Sequence, residues 1–396
     1  MPGRSVLNTY LVEGSVWGFS DSITLQLRLI HVYPEENVIW AESCSSDLTN
    51  VLKLHSDIAG EIAEKMNLDL SSEEIEQFPA PRQVNPESYK AYLRGMYCLN
   101  QLTPESTEKG LEYLHEAVRL DPGEPFAYAG LALGYIEIAH GPMATDDALI
   151  KAEAAVSQAI KLDSTMAEIY SAMGALYFYK FWKMDKVEEY FIKALRFNPN
   201  LAMTHYHYSW ALYVLGRMEE AIAEHKLAQK YDPFNPLHTA WLAGLYCYDG
   251  QYEEAIRVAN EAFEIQKDYV ISYYILGRSY LALGKTEEAI EAHMKLTELY
   301  SWWPSALGCT YAEVGRKEKA EKILNDLIGS DSMDPFKAWE IVCLAAALGK
   351  NDLAFKYIDL EPQFAWLVGL PQMPEYDNLR DDPRFDDVIE QFNLPD

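Results

Sequence analysis

Histidine and aspartate are the residues of this chain that could hold a metal ion, but their spacing does not favour one. His205 and His207 are two positions apart, so on a helix their side chains point about 200° apart and cannot share zinc. His225 and His293 occupy equivalent positions of two internal repeats, which favours a role in packing. The acidic run 381–387 lacks the alternate-residue spacing and the glycine of a calcium loop. We therefore predict no metal site.

The sequence motifs of common enzyme sites are absent. The chain contains no GxGxxG, GxxxxGK[ST], GxSxG, HExxH or CxxC pattern. The cysteines are scattered and odd in number, which is typical of small buried apolar residues in a reducing compartment. They are Cys44, Cys98, Cys247, Cys309 and Cys343. We predict a non-catalytic protein with no catalytic residues and no cofactor.

The charge balance narrows the range of partners. The chain of 396 residues has 33 basic and 61 acidic side chains, a net charge of −28. A negative field of this size repels phosphate, so nucleic acid and anionic membrane surfaces are poor partners. Basic peptides would be attracted. The alternative is that the acidic residues only keep a large exposed surface soluble.

The sequence shows neither a signal-peptide pattern nor a membrane-spanning pattern, and the compartment is predicted from this. The first residues, MPGRSVLNTYLVEG, do not have the charged-then-apolar pattern of a signal peptide. No apolar run approaches the roughly 18 residues of a membrane span. These patterns predict a cytoplasmic protein without membrane insertion.

An internal repeat is the strongest pattern in the chain. GRMEEAIAEH begins at Gly216, GQYEEAIRVA at Gly250 and GKTEEAIEAH at Gly284, each 34 residues after the last. Weaker copies begin at Gly315 and Gly349. An apolar helical block precedes each glycine, and the glycine can adopt the left-handed conformation that ends a helix. The paired glutamates that follow suit the positive end of the next helix.

These residues resemble the tetratricopeptide-repeat (TPR) family, which repeats a helix–turn–helix unit at this period. The resemblance implies a mainly α fold, a right-handed superhelix or α-solenoid, over residues 88–360. It implies about seven or eight repeats. Their expected bounds are 88–122, 124–165, 167–199, 202–233, 236–267, 270–299, 301–330 and 335–360.

The amino-terminal residues 1–70 have a different pattern. Alternating β-branched and aromatic residues over 9–43 predict three antiparallel strands, and a helix is expected over about 47–66. This small α+β lobe resembles the second half of the TolB-like domain that precedes TPR arrays in bacterial adenylate-cyclase-type and transcriptional regulators. The first half of that domain is expected upstream of Met1, so either the chain is a truncated gene or a fragment, or the half-domain docks elsewhere. The sheet edge left open would allow self-association.

A polar linker is predicted over 71–87 and a capping segment over 361–396. In the capping segment, DPRF opens a short amphipathic helix with Phe385, Val388, Ile389 and Phe392 on one face. This helix is expected to cover the apolar face of the last repeat.

In TPR families the first helix of each pair lines a concave groove. Carried over by repeat position, this resemblance places nine residues of this chain in the groove, mostly aromatic residues of the type enriched at binding hot spots. They are Phe178, Tyr179, Met203, Tyr206, Trp210, Tyr213, Tyr248, Tyr274 and Arg278. The alternative is that these aromatic side chains pack between neighbouring repeats. The positions of a chaperone-type carboxylate clamp carry aromatic residues and Arg278, which argues against that specialised function.

The sequence therefore predicts a scaffold that captures a peptide or protein segment, with apolar anchors and basic flanks, in bacterial signalling or regulation. The alternative is a sensory or regulatory module. In that case the array would bind a small ligand or its own amino-terminal lobe and control a separate cyclase or transcription regulator.

Overall fold

The fold is that of a computed structural model, and it agrees with the predicted fold class. The structure describes residues 10–19, 21–32, 36–66, 68, 83–99, 104–140, 144, 145, 147–330, 333–362 and 364–390. Most of the predicted linker 71–87 lies outside these residues, as do the chain's last six.

Three antiparallel strands open the described chain, as the alternating pattern predicts. They are β1 (Tyr10–Phe19), β2 (Ser22–His31) and β3 (Asn37–Asp47), in the order β1-β2-β3. Gln26 and Arg28 face water on β2, whereas Leu29 is buried. Helix α1 (Val51–Lys65) contacts β3. The sheet therefore belongs to a small α+β lobe.

Eight helix pairs follow between residues 86 and 360 in the part of the chain that the structure describes. Consecutive helices pack against each other as antiparallel neighbours. The first helices are α2 (Pro86–Leu99), α4 (Pro125–His140), α6 (Ala167–Leu176), α8 (Ala202–Val214), α10 (Pro236–Tyr248), α12 (Val270–Ala282), α14 (Ser305–Glu313) and α16 (Pro335–Ala347). The second helices are α3 (Pro104–Leu120), α5 (Ala148–Leu162), α7 (Met184–Phe197), α9 (Met218–Tyr231), α11 (Tyr252–Ile265), α13 (Thr286–Leu299), α15 (Lys317–Ile328) and α17 (Asn351–Leu360).

The repeated glycines end the first helices of the last five pairs. Their φ angles lie between 68° and 77°, in the left-handed region that a side chain disfavours. They are Gly216, Gly250, Gly284, Gly315 and Gly349. The glutamate pairs of the repeat then fall in the first turns of α9, α11 and α13, as predicted.

Small residues allow the paired helices to approach closely. The alanine that follows each glutamate pair, or its counterpart in the weaker repeats, is fully buried. These alanines are Ala221, Ala255, Ala289, Ala320 and Ala354. Large apolar side chains fill the space around them and form one continuous core from Leu99 to Phe385.

Residues 364–390 form only short helices. Two 3₁₀ helices, Ala365–Gly369 and Pro374–Leu379, precede a short helix α18 (Pro383–Ile389). Arg384 lies over the ring of Phe355 on α17 and pairs with Asp352 at 2.9 Å. Phe385 is buried. Within the predicted capping segment, α18 and the 3₁₀ helix Pro374–Leu379 thus both pack on the last repeat, whereas Ala365–Gly369 contacts α4, near the start of the array.

Candidate protein-binding surface

The first helices of the pairs share one side of the array, which we call the inner surface. Along this side α2 contacts α4, α10 contacts α12, and α14 contacts α16. Contacts between successive first helices indicate that the array curves toward this side. The residues predicted to line the groove lie on these helices or on their extensions.

Phe178 and Tyr179 lie in a π-helix, Tyr177–Phe181, that extends α6. Their ring centroids are 4.6 Å apart and both side chains are buried. The π-helix ends at Trp182, whose φ of 50° is uncommon for a residue other than glycine. The wider π turn shifts both aromatic residues relative to a regular helix.

Four of the predicted residues form a continuous aromatic cluster, which comprises Trp210, Tyr213, Tyr248 and Tyr274. Trp210 contacts Tyr213 at 5.8 Å and Tyr248 at 6.3 Å between ring centroids. Tyr213 stacks on Tyr248 at 5.4 Å with the two rings 15° from parallel. The hydroxyl oxygens of Tyr248 and Tyr274 are 3.4 Å apart. Residues from three successive first helices therefore meet on the inner surface.

His207 contacts two of the remaining predicted aromatic residues, Tyr179 and Tyr206. The Tyr179 hydroxyl lies 3.5 Å from Nδ1 of His207, and the ring of His207 contacts that of Tyr206 at 5.1 Å. Met203 is half-buried and packs on the core at the start of α8. The structure thus brings the predicted aromatic residues together in two groups and leaves Met203 apart from them.

Arg278 lies at one end of the aromatic cluster and has carboxylates on two sides. Its guanidinium nitrogens lie 3.7 Å from Oε1 of Glu313 and 3.7 Å from Oε1 of Glu375. The Tyr274 hydroxyl donates a hydrogen bond to the same oxygen of Glu375. Burial raises the pKa of Tyr274 well above its ordinary value, so this hydroxyl stays a donor. The side chains of Arg278 and Glu375 are only 16% and 8% exposed.

Glu375 belongs to a stretch that covers the inner surface, residues 364–380, which we call the return segment. Its 3₁₀ helix Ala365–Gly369 contacts both α4 and the π-helix, far back along the array. Trp366 is half-buried, whereas most other apolar residues of the segment are buried. They are Phe364, Ala365, Leu367, Val368, Leu370, Met373, Tyr376 and Leu379.

Trp366 and Tyr376 attach the return segment to helices of two other pairs. The ring of Trp366 contacts Trp241 of α10 at 6.0 Å and Trp339 of α16 at 5.8 Å. Nε1 of Trp339 donates a hydrogen bond of 2.7 Å to the Tyr376 hydroxyl. That hydroxyl donates in turn to the carbonyl oxygen of Trp366 at 3.2 Å. The inner surface therefore already holds a length of protein chain.

Sequence reasoning missed Trp241, Trp339 and the return segment as parts of this surface. One signal is present in the sequence: residues 364–370 read FAWLVGL, an apolar run that a solvated tail would not carry. Repeat position offers a second signal. Gly244 occupies the same repeat position as Trp210 and Arg278, 34 residues from each. A side chain at Gly244 would meet the ring of Trp241 at 2.8 Å, so glycine makes room for this tryptophan.

Two histidines at equivalent repeat positions, His225 and His293, are buried and hydrogen-bonded within the array. Nδ1 of His225 lies 2.8 Å from the Ser209 hydroxyl, and Nδ1 of His293 lies 2.6 Å from that of Thr310. Burial lowers the pKa of His225 to about 3 and that of His293 to about 4. Within the described ranges, no three His, Cys, Asp or Glu side chains are arranged to hold a metal ion.

A family model for the tetratricopeptide repeat matches residues 236–301, the pairs α10–α11 and α12–α13. The 34-residue step and the helix pairs extend the same unit along the array. The chain contains tetratricopeptide repeats. TPR proteins generally serve as scaffolds for protein interactions. None of the helices in the described part of this TPR protein is both long and apolar enough to span a bilayer.

Two relatives share part of the sequence of this TPR protein. The transcriptional regulator HilA of Salmonella typhimurium is 28% identical over 182 residues, which cover 44% of this chain and 32% of HilA. The putative adenylate cyclase 3 of Rhizobium meliloti is 25% identical over 160 residues, 39% of this chain and 27% of that protein. The chain thus matches less than a third of the length of each relative.

Solved structures share the fold. The hetero-tetramer Cut9–Hcn1 of the APC/C superposes with a TM-score of 0.50 and 13% identity, covering 86% of this chain and 59% of the other. At this identity the likeness concerns only the α-solenoid architecture. The TolB-like resemblance of residues 1–70 stays a prediction.

Proposed function

We propose that this TPR protein is a non-catalytic scaffold that binds a peptide or protein segment on the inner surface of its superhelix. One observation carries the proposal: the inner surface holds the return segment, a stretch of two 3₁₀ helices and turns, against aromatic side chains of several helix pairs. Aromatic side chains supply large contact area at low conformational cost. A surface that accommodates one such stretch is suited to another of similar chemistry.

The proposed setting is bacterial signalling or regulation in the cytoplasm. Two observations support it. The relatives come from bacteria, and one is named a transcriptional regulator and another a putative adenylate cyclase. The acidic excess of the chain supports a partner whose flanks, outside the inner surface, are neutral or basic.

The relatives also favour a second candidate function. Because each is more than three times as long as the matched region, the array could be the regulatory part of a larger system that controls an effector. In that case the array would bind a small ligand or its own amino-terminal lobe. The occupant of the inner surface distinguishes this candidate from the scaffold.

Site-specific photo-cross-linking tests the proposal. A photo-reactive phenylalanine derivative at position 248 faces the inner surface, and the same residue at exposed position 150, on the second helix α5, is the matched control. We expect a host protein to be cross-linked from position 248 and not from position 150. Its purified form should then bind the unmodified chain in calorimetry.

Three results would contradict the scaffold. Cross-links confined to position 150 would place the partner on the outer side of the array. Cross-links from position 248 to the lobe of the same chain, or to no protein at all, would support the regulatory candidate instead.

A further inference from the structure

The return segment contacts the inner surface mainly through side chains. Its backbone amides donate mostly within the segment: Leu367 to Phe364 at 3.0 Å, Met373 to Gly369 at 2.8 Å and Tyr376 to Met373 at 3.2 Å. Because the segment is held mainly by buried side chains rather than by backbone hydrogen bonds to the array, a segment that offers the same side chains can replace it.

The first attachment point is aromatic. Trp366 lies between Trp241 and Trp339, 41° from parallel with the first ring and 28° from parallel with the second. Offset aromatic contacts at these distances add about 0.5–1.5 kcal/mol each to the burial of the ring. The two partner rings belong to α10 and α16, which are far apart in sequence. The space between the rings that holds Trp366 therefore exists only when the array is curved.

The second attachment point is a carboxylate. Arg278 is largely buried, and a buried guanidinium without a counter-charge is strongly unfavourable. Glu313 on its other side is 45% exposed, so Glu375 is the better-desolvated partner. A cavity of about 20 Å³ beside Glu375 is lined by Tyr274, Arg278 and Cys309, with room for one water molecule near its second oxygen.

We propose that the inner surface recognises a peptide with an aromatic side chain followed by a carboxylate, and that the return segment occupies this site until such a partner displaces it. In the chain itself the two groups are Trp366 and Glu375, nine residues apart. This inference rests on the proposed scaffold function and names the partner's chemistry. The expected partner is therefore not basic throughout. The group that pairs with Arg278 is acidic, whereas the flanking residues are neutral or basic.

Tethering makes the return segment a strong competitor. A linked segment acts at an effective concentration of the order of millimolar, so a free peptide of equal intrinsic affinity binds poorly to the intact chain. Removing the two anchors from the chain weakens the competitor, because its other buried side chains remain, while the residues of the inner surface are unchanged.

The experiment uses the full chain and a fluorescein-labelled peptide with the sequence of residues 361–382, followed by anisotropy. The chain carrying Trp366→Ala and Glu375→Gln should bind this peptide at least tenfold more tightly than the unmodified chain. The same peptide with Glu375→Gln should bind that variant at least tenfold more weakly. The matched control is a peptide with Asp377→Asn, since this carboxylate is 64% exposed, and its affinity should be unchanged.

The outcomes separate the inference from the function on which it rests. If the folded variant binds none of the peptides, inner-surface binding fails and the scaffold proposal fails with it. If it binds the Glu375→Gln peptide as tightly as the parent peptide, peptide binding stands and carboxylate recognition is wrong. If the unmodified chain binds as tightly as the variant, the return segment is not a competitor.

A second measurement covers the case in which the double variant does not fold. The unmodified chain is labelled with ¹⁵N, so that its fragments differ in mass from those of the peptide, and hydrogen exchange is followed with excess peptide. Exchange of amides in residues 364–380 should increase several-fold, with no increase when the Trp366→Ala peptide is added. Unchanged exchange with the parent peptide would overturn the proposal.

Discussion

The amino-terminal sheet exposes apolar side chains to solvent, whereas the inner surface of the array buries them. On β1, Val16 is 64% and Trp17 is 50% exposed. On the inner surface, Trp210 and Tyr213 are buried, because the return segment and neighbouring helices cover them. Both regions have apolar side chains that a partner could bind. The comparison shows that an apolar surface predicted from sequence is not necessarily an open one, since another part of the same chain can occupy it.

The largest expected effect on the free energy of unfolding concerns Tyr376 of the return segment. Tyr376→Ala removes a fully buried ring and the acceptor for Nε1 of Trp339, so it should lower the free energy of unfolding by about 3–5 kcal/mol. Trp17→Ala on the exposed face of β1 should change it by less than about 1 kcal/mol. Urea unfolding followed by circular dichroism measures both. Equal effects of the two substitutions would contradict the difference between the regions.

The next prediction concerns how the free energy of unfolding depends on pH through His293. Burial keeps His293 neutral down to pH of about 4, whereas in the unfolded chain it binds a proton below its ordinary pKa of 6.5. The unfolded state therefore binds more protons in this window, and stability falls as pH falls, by about 1.4 kcal/mol per pH unit. His293→Gln removes this contribution, so its stability deficit relative to the unmodified chain should narrow by about 2 kcal/mol between pH 6.5 and 5. His55→Gln, exposed on α1, is the control, and a deficit that stays constant would refute the assignment.

A smaller effect is expected where the two regions meet. Val84 is buried and its amide donates to the carbonyl oxygen of Thr49 at 2.9 Å, which links the array to the lobe. Val84→Ala should lower the free energy of unfolding by about 1–2 kcal/mol. Hydrogen exchange should rise in residues 49–58 and remain unchanged in α10–α13. A rise throughout the array would mean that the lobe and the repeats unfold as one unit.

The smallest effect on stability is expected at the sheet edge. Val16→Lys places a charge on edge strand β1 and should change the free energy of unfolding by no more than about 0.5 kcal/mol. We expect the sedimentation coefficient of the unmodified chain to rise with concentration and that of Val16→Lys to stay constant. Gln26→Lys on the central strand is the control. A concentration-independent coefficient for the unmodified chain would exclude self-association through this edge.

Local patterns predicted the parts of the fold that depend on neighbouring residues. The left-handed glycines such as Gly250, the glutamates in first turns and the buried alanines such as Ala255 all follow from helix ends and close packing within one repeat. The strand pattern of residues 10–47 likewise depends on alternation within each strand. Such features need no knowledge of the superhelix.

The occupied inner surface could not be predicted in the same way. Whether Trp366 reaches Trp241 and Trp339 depends on the curvature accumulated over many repeats, and small rotations per repeat are not encoded in a local pattern. The π-helix at Tyr177–Phe181 also lacks a sequence signal of its own. The nine groove residues therefore stay a prediction as a partner site, although the structure locates each of them.

The return segment also changes how the molecule would be expected to fold. A repeat array normally makes contacts only between neighbours, so it can nucleate anywhere and propagate in either direction. Here residues 365–369 contact α4, which lies more than two hundred residues earlier in the chain. Such a contact closes a very long loop, which slows the step that forms it and joins distant repeats into one cooperative unit. The array is thereby changed from a row of loosely coupled units into one in which distant repeats are expected to fold and unfold together.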